Sequence, residues 1–347
     1  MTDFDSPLRL NLDGNALVEN WRALDTQSGA ARAGAAVKAD AYGIGARAVV
    51  TRLRHAGCRD FFVAHWAEAA AIADLVPPEW ISVLNGIAPD DLKAARDLGA
   101  IPVLNTAEQI KLWTSSGGGR CHVMFDSGIN RLGLGSEDIN GSTFDGLDID
   151  LLMSHLASAD ADVAQNVEQL RAFQSVAADI GAKRFSLANS AGVMLGPDYH
   201  FDLTRPGLSL YGGLARAGME TFIRPVVALS ARLLQVRNVQ AGKPVGYNAT
   251  HVCKTDTRIG TISIGYADGY LRAFSGKGMA DWHGLPLPVI GRISMDLVTL
   301  DINAAPDLRE GDWVNVEYDL RAASALTGLS QYELLTNLGS RFARVWR

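Results

Sequence analysis

The stretch Ala33-Gly34-Ala35-Ala36-Val37-Lys38-Ala39-Asp40-Ala41-Tyr42-Gly43-Ile44-Gly45-Ala46 runs from a short apolar segment, through a glycine-punctuated turn, into a helical pattern over residues 46–55. An uninterrupted run of small and β-branched residues reads as a buried strand, and Gly43 and Gly45 mark the turn that ends it. Lys38 is the charged residue where that strand closes. In α/β proteins the C-terminal ends of strands form the rim where ligands bind. Partial loss of water there lowers an amine's pKa and exposes the neutral form that Schiff-base chemistry needs. The plainer alternative is a lysine whose stem packs along the strand while its head reaches water. The other strand ends decide between the two.

Working outward, residues 9–211 alternate short apolar runs with helical patterns. Candidate strands fall at 33–39, 61–64, 81–84, 101–104, 121–125, 149–154, 185–187 and 201–204, with helical stretches at 66–76, 90–98 and 162–180. Thr106-Ala107-Glu108-Gln109 resembles a capping box. Strands that each lead into a helix or helical turn give the period of a (β/α)8 TIM-type barrel, an α/β fold. A doubly wound sheet is the second choice, and no Gly-x-Gly-x-x-Gly follows the first strand to support it. After Arg224-Pro225 the pattern changes to strand-period alternation at 226–236, 257–263, 288–293 and 297–302, with a helical pattern at 324–338. The expectation is a barrel domain over 1–222 followed by a mainly antiparallel β domain over 223–347.

The 347 residues exceed the usual size of a single core, in keeping with two domains. A net charge of −6 argues against nucleic acid or an acidic membrane surface as partner. Cys58, Cys121 and Cys253 lie far apart and outside any metal-binding spacing, so they read as small core residues in a reducing compartment; no metal is expected. The acidic opening Met1-Thr2-Asp3-Phe4-Asp5 has no apolar leader, and no run approaches the ~20 apolar residues of a membrane span. A cytoplasmic protein is expected.

In a barrel, the residues after the strands converge on one rim. Lys38 follows strand one, Asp126-Ser127-Gly128-Ile129-Asn130-Arg131 strand five, His155 strand six, Asn189-Ser190 strand seven and Arg205-Pro206-Gly207 strand eight. Taken singly, His155 reads as a core histidine, the arginines as ion-pair partners, and Tyr247 and Tyr266 as sheet-face residues. Together they supply an amine, guanidinium groups, an imidazole and a hydroxyl, a set suited to an anionic ligand. Ser190 and Gly207 can supply donors to a phosphate, as the last strands of a barrel commonly do. A Schiff-base lysine beside a phosphate site points to pyridoxal 5'-phosphate or to a class I aldolase.

Val37-Lys38-Ala39-Asp40-Ala41-Tyr42-Gly43 resembles the cofactor-lysine motif of the bacterial alanine racemases, the barrel-type (fold-type III) pyridoxal-phosphate enzymes. The likeness recurs in residues 126–133, Ala188-Asn189-Ser190, residues 205–212, 245–250, 264–269 and 291–296, and Tyr332-Glu333. The resemblance implies a homodimer with shared active sites, acting on a small amino acid and making D-alanine, a peptidoglycan precursor. Lys38 would hold the cofactor; Tyr42, Ser190, Gly207, Leu208 and Tyr332 would surround its phosphate, with Asn189 nearby. Arg205 would face the pyridine nitrogen and His155 would lie beside the ring. Tyr247, from the partner subunit, would be the second base. Arg131, Met295 and Tyr266 would meet the substrate, Met295 through its backbone amide and Tyr266 at the entrance.

Racemisation takes a proton from one face of Cα and returns it to the other, so two bases must flank one flat centre. By the resemblance, Lys38 would serve one face and Tyr247 the other. A tyrosine with pKa near ~10 needs nearby positive charge to act, which a chain through His155 to Arg205 would provide. Two departures stand out. Met124 sits where many members carry a carbamate-forming lysine that holds the arginine, so Arg131 must be oriented otherwise, by Asn130 or a bound anion. Ile44 replaces a histidine of the cofactor motif, a peripheral change. The expected activity is interconversion of L- and D-alanine; the rivals are a racemase of serine or broader range, a decarboxylase on the same scaffold, and a non-catalytic pyridoxal-phosphate homeostasis protein.

Overall fold

The computed structural model describes residues 6–347; the acidic opening at residues 1–5 lies outside the described residues. The chain divides into two units, Ala16–Arg224 and a second that combines the described residues up to Asn15 with Pro225–Arg347. A single cut after residue 222 therefore does not describe the chain, and the reason is strand β1 (Leu8–Leu12). Its leucines are buried on one face, and it pairs antiparallel with Val227–Val239 and parallel with Ala343–Trp346.

The first unit contains β2 (Arg32–Ala33), β3 (Ala35–Ala36), β4 (Phe61–Val63), β5 (Ile81–Val83), β6 (Ile101–Leu104), β7 (Arg120–Met124), β8 (Asp148–Met153), β9 (Arg184–Ser186) and β10 (Leu203–Thr204). β3 through β9 form one sheet in chain order, parallel at every pairing. β10 pairs parallel with β2, and a parallel bridge joins Asn189 to Arg205 at the other side. β2 and β3 are one strand bent at Gly34, and through them the ring closes as the expected barrel. Gly34 is needed at that bend: its N–H donates to Thr204 O at 2.9 Å, and a Cβ would come within 2.9 Å of Asp60 O. β4, β5 and β6 are buried along their whole length, as strands covered on both faces must be.

Helices alternate with these strands, among them Ala46–Ala56, Trp66–Ile72, Leu92–Leu98, Ala107–Ser115 and Ala164–Asp179. Thr106 caps its helix by accepting from Gln109 N at 3.1 Å. The return bond goes to Asn105 N at 2.8 Å, one residue earlier than a capping box would place it. Two expected strands are shorter than read. The one at 33–39 ends at Ala36, and the one at 201–204 starts at Leu203 because Phe201 holds φ 52°.

The second unit adds β11 (Val227–Val239), β12 (Pro244–Val245), β13 (His251–Val252), β14 (Thr257–Ile262), β15 (Met279–Trp282), β16 (Leu285–Ile290), β17 (Val298–Asp301), β18 (Trp313–Val316) and β19 (Ala343–Trp346). Its eight-stranded sheet runs β14-β17-β16-β15-β18-β11-β1-β19, with a further β14–β11 pairing. β11 makes that closure possible. Its register shifts between Leu233 and Gln235, so the strand bends and pairs with β1 and β18 early but with β14 late. The helical pattern at 324–338 is two helices, Leu320–Thr327 and Gln331–Thr336, separated because Gly328 takes φ 77°.

Candidate active site

Where β3 stops, the chain turns left-handed: Ala39, Asp40, Ala41 and Tyr42 hold φ of 52, 52, 53 and 56°. Each such residue costs about 1–2 kcal/mol because its Cβ crowds the following carbonyl, so the turn persists only where its surroundings hold it. Within the turn, Ala41 N donates to Val37 O and Gly43 N to Ala39 O, both at 2.9 Å. Two carboxylates hold it, one from within the turn and one from outside. Asp40 Oδ1 accepts from Ala46 N, and Glu68 Oε1 from Ala39 N, each at 2.7 Å. The Tyr42 ring packs 4.9 Å from Tyr211, whose hydroxyl donates to Ala36 O at 2.7 Å.

Lys38 stands half-buried at the head of this turn. Burial lowers its pKa, the Arg131 charge lowers it further, and Glu68 partly opposes both. His155 is pushed down to about 3 by burial and then by Arg205, Arg131 and Lys38. These mutual effects bring Lys38, Arg131, His155 and Arg205 into one electrostatic neighbourhood, as read from their strand-end positions. Burial and the neighbouring cations thus favour the neutral imidazole at His155.

Arg205 is the most deeply set of the cations, 7% exposed. Its guanidinium donates to Ser186 Oγ and Ser154 O, and among the described residues it has no carboxylate partner. Burial brings it down to about 10, which still leaves it charged at neutral pH. Beside it, Ser190 Oγ accepts from Gly207 N at 2.8 Å and Ser209 N at 3.3 Å, tying the end of β9 to the turn after β10. Asn189 Oδ1 accepts from Gly192 N at 2.9 Å. A Cβ on Gly207 would come to 2.3 Å from the Tyr42 hydroxyl, so only glycine permits this approach. Leu208 follows, buried, at the start of a short 3-10 turn.

Asp126, read in the sequence only as part of the strand-five segment and given no role, and Gln169, not singled out there, organise this rim. Asp126 Oδ1 accepts from the N–H groups of Gly128, Ile129 and Asn130, and Oδ2 from Arg131 N at 2.8 Å. Asn130 sits at φ 55° within that ring. Arg131 is thus held through its backbone, while its exposed guanidinium has no hydrogen bond or ion pair among the described residues. Met124 is buried at 7%. Buried Gln169 accepts from Ala157 N at 2.8 Å and donates to His155 O at 3.0 Å and Ser127 Oγ at 3.2 Å. It rivets the His155 segment to the Arg131 loop. The signal was present, since Gln169 shares the 166, 169, 170, 173 face of its helix with Leu170 and Phe173 and so is a polar residue pointed at the core.

Tyr247, Tyr266, Met295 and Tyr332 belong to the second unit. The first three lie on neighbouring loops. Tyr266 N donates to Ser294 O at 3.1 Å and Ala267 N to Met295 O at 3.0 Å. A Cβ on Gly291 would approach Val245 O at 2.9 Å, beside the Tyr247 turn. Asn248 and Ala249 in that turn hold φ of 62 and 50°. Arg341 bonds Asp268 and Asp296, pinning the same loops, and Arg272 lies 4.8 Å from the Tyr266 ring. Tyr247 is 67% and Met295 53% exposed. Tyr332 is half-exposed on the helix Gln331–Thr336.

A closed parallel barrel whose rim gathers a partly desolvated amine and guanidinium groups without carboxylate partners among the described residues defines the class of barrel proteins with a cationic rim suited to anionic ligands. Residues 12–215 match the family "alanine racemase, N-terminal domain" and residues 226–346 "alanine racemase, C-terminal domain". The chain belongs to the alanine racemase family. It is 40% identical to the biosynthetic alanine racemase of Agrobacterium fabrum, over 98% of this chain and 93% of that one. It is 41% identical to the catabolic alanine racemase of Rhizobium johnstonii, over 97% and 94%. Among solved structures, the alanine racemase of Bartonella henselae with covalently bound pyridoxal phosphate superposes with a TM-score of 0.91 at 35% identity, covering 99% of this chain and 100% of that one. The biosynthetic enzyme of Pseudomonas aeruginosa gives 0.87 at 32%, with the same coverage.

Proposed function

We propose that this chain is a pyridoxal-phosphate-dependent racemase that interconverts L-alanine and D-alanine. The observation that carries the reading is Lys38, a partly desolvated amine at a barrel rim in electrostatic reach of Arg131, His155 and Arg205. Two features fit the cofactor. Arg205 is a buried cation without a carboxylate, and Gly207 is drawn so close to Tyr42 that a side chain would fill the gap. Lys38 would hold the cofactor; Tyr42, Ser190, Gly207 and Leu208 would hold its phosphate, with Asn189 beside them and Arg205 at its ring nitrogen. When bound, pyridoxal phosphate supplies an electron sink for the bond to the Cα hydrogen.

The chain's own residues do the rest. The lowered pKa of Lys38 leaves more of its amine neutral and able to take a proton. Neutral His155 can relay a hydrogen bond without adding a charge. Arg131, aimed by Asp126, would receive the substrate carboxylate, and a bound anion would complete its guanidinium. The roles of Tyr247 as second base, Tyr266 at the entrance, Met295 at the carboxylate and Tyr332 at the phosphate rest on the resemblance. So does a homodimer in which the partner supplies Tyr247; the exposure of that tyrosine within one chain is in keeping with it. No helix among the described residues is long and apolar enough to cross a membrane, and a cytoplasmic location is part of the proposal. Decarboxylation and cofactor carriage are not favoured, since the C-terminal racemase domain is matched as well as the barrel.

The test is exchange of the Cα proton in deuterated water across a panel of amino acids. Exchange with retention of the carboxylate, greatest for alanine, is expected. Carbon dioxide release, or no exchange at all, would overturn the reading. Lys38→Ala should lose the yellow, borohydride-reducible adduct.

A further inference from the structure

We propose that Glu68 is the positioning residue for Lys38, closing the β3–β4 ladder where the left-handed turn breaks it. In that ladder Ala35 N donates to Asp60 O and Val37 N to Phe62 O, both at 2.8 Å. A parallel ladder continued one rung further would give Ala64 N to Val37 O and Ala39 N to Ala64 O. The turn prevents this, because Val37 O is taken by Ala41 N at 2.9 Å, and Ala64 O accepts from Asn85 N at 2.9 Å on the far side. Two backbone donors flanking Lys38 are left over. Glu68 takes both, Ala39 N with Oε1 and Ala64 N with Oε2, each at 2.7 Å.

One carboxylate thus ties the residue after Lys38 to the end of the neighbouring strand and fixes where the amine leaves the backbone. The Glu68 side chain is only 18% exposed, and its other near neighbour is His65 Nε2 at 3.8 Å. It also brings a negative charge close to Lys38 on a rim that carries Arg131 and Arg205, where the other carboxylates, Asp126 and Asp40, are engaged with backbone N–H groups of their own loops. In keeping with this, Glu68 is the group that raises the Lys38 pKa against burial and Arg131. The helix Trp66–Ile72 carries Glu68 in its first turn. The strut is therefore built by the element that follows β4, not by the Lys38 segment. The proposal rests on the reading of Lys38 as the cofactor anchor.

The experiment follows covalent capture of pyridoxal phosphate by the full-length protein. Cofactor is removed and re-added across a pH series, the adduct is trapped with borohydride after short exposure, and its amount at Lys38 is measured by peptide mass spectrometry. Glu68→Gln keeps an acceptor and removes the charge; Glu68→Ala removes both. Removing the charge lowers the Lys38 pKa, so the pH of half-maximal capture should move to lower pH in Glu68→Gln. Capture at high pH should slow several-fold, and further in Glu68→Ala, because the two N–H groups lose their shared acceptor. Capture by Glu68→Gln at the wild-type rate and midpoint would overturn the proposal, and this variant decides if Glu68→Ala does not fold. Lys38→Ala, run alongside, tests the underlying reading separately: undiminished capture there would remove Lys38 as the anchor whatever Glu68 does.

Discussion

At Lys38 the chain places a charge where burial opposes it, and a few neighbours decide how far that opposition goes. Gly207 is the sharpest case among them, because its missing side chain is the space that Tyr42 occupies. Gly207→Ala should force the Tyr42 ring away, at about 1–3 kcal/mol for an overpacked site. The expected outcome is roughly tenfold or greater weakening of pyridoxal phosphate binding, read by fluorescence titration. For Tyr247→Phe the loss should be directional, about 10²–10⁴-fold on removal of the proton from one enantiomer and much less on the other. Equal small losses in both directions, measured by isotope exchange, would exclude a two-base mechanism. Arg131, His155 and Arg205 were legible at this scale as strand-end polar residues. Glu68 and Gln169 were not, because partners such as Ala39, Ser127 and His155 are brought to them from other segments; Asp126 stood in the strand-five segment, but its four N–H partners at residues 128–131 converge on it only in the folded loop.

Elements make different demands on the same residue type. Ala39 lies in the left-handed turn at φ 52° and is exposed, whereas Ala48 lies inside the helix Ala46–Ala56. Glycine should be neutral or stabilising at Ala39, where it relieves about 1 kcal/mol of steric cost. At Ala48 it should cost about 1 kcal/mol. Urea unfolding of the two variants would show opposite or clearly unequal shifts of midpoint. The loop after β7 gives a second contrast. Asp126→Asn leaves one oxygen where two now serve four backbone donors. The loop bearing Arg131 should loosen, and KM for alanine should rise roughly tenfold with a smaller change in kcat. The left-handed turn itself was unreadable in advance: Ala39 and Ala41 carry no local preference for it, and the tertiary bond from Ala39 N to Glu68 helps to hold it.

For the whole molecule, acid stability should follow the buried imidazoles. His122, 1% exposed and bonded to Ser82 Oγ at 3.1 Å, is held down to about 3 chiefly by burial, and His155 likewise. In the unfolded chain both revert to the ordinary value near ~6.5. Between pH ~6.5 and ~3 the unfolded state binds protons that the fold refuses, so stability is full above ~6.5 and falls as pH drops through that window. Denaturant unfolding at pH 7 and pH 4.5 should show a loss of a few kcal/mol. A flat profile over that range would mean the imidazoles are hydrated in the fold. The two-unit architecture was legible as a change of period near Arg224-Pro225, whereas the membership of β1 in the second unit was not.

What the sequence determined by itself is the order of strands and helices around the barrel, the second β domain, and the family, because hydrophobic period and short motifs are local and survive without coordinates. Only the tertiary structure decided the left-handed turn at Lys38, the neutrality of His155 and the backbone anchoring of Arg131. Only it showed the return of β1 to the far end of the chain and the two donors gathered by Glu68. The Arg131 anchor is local in sequence but exists only once its loop has folded around Asp126; the others depend on a hydrogen-bond partner or a loss of water that distant segments supply, and a linear pattern carries no record of which segments will meet.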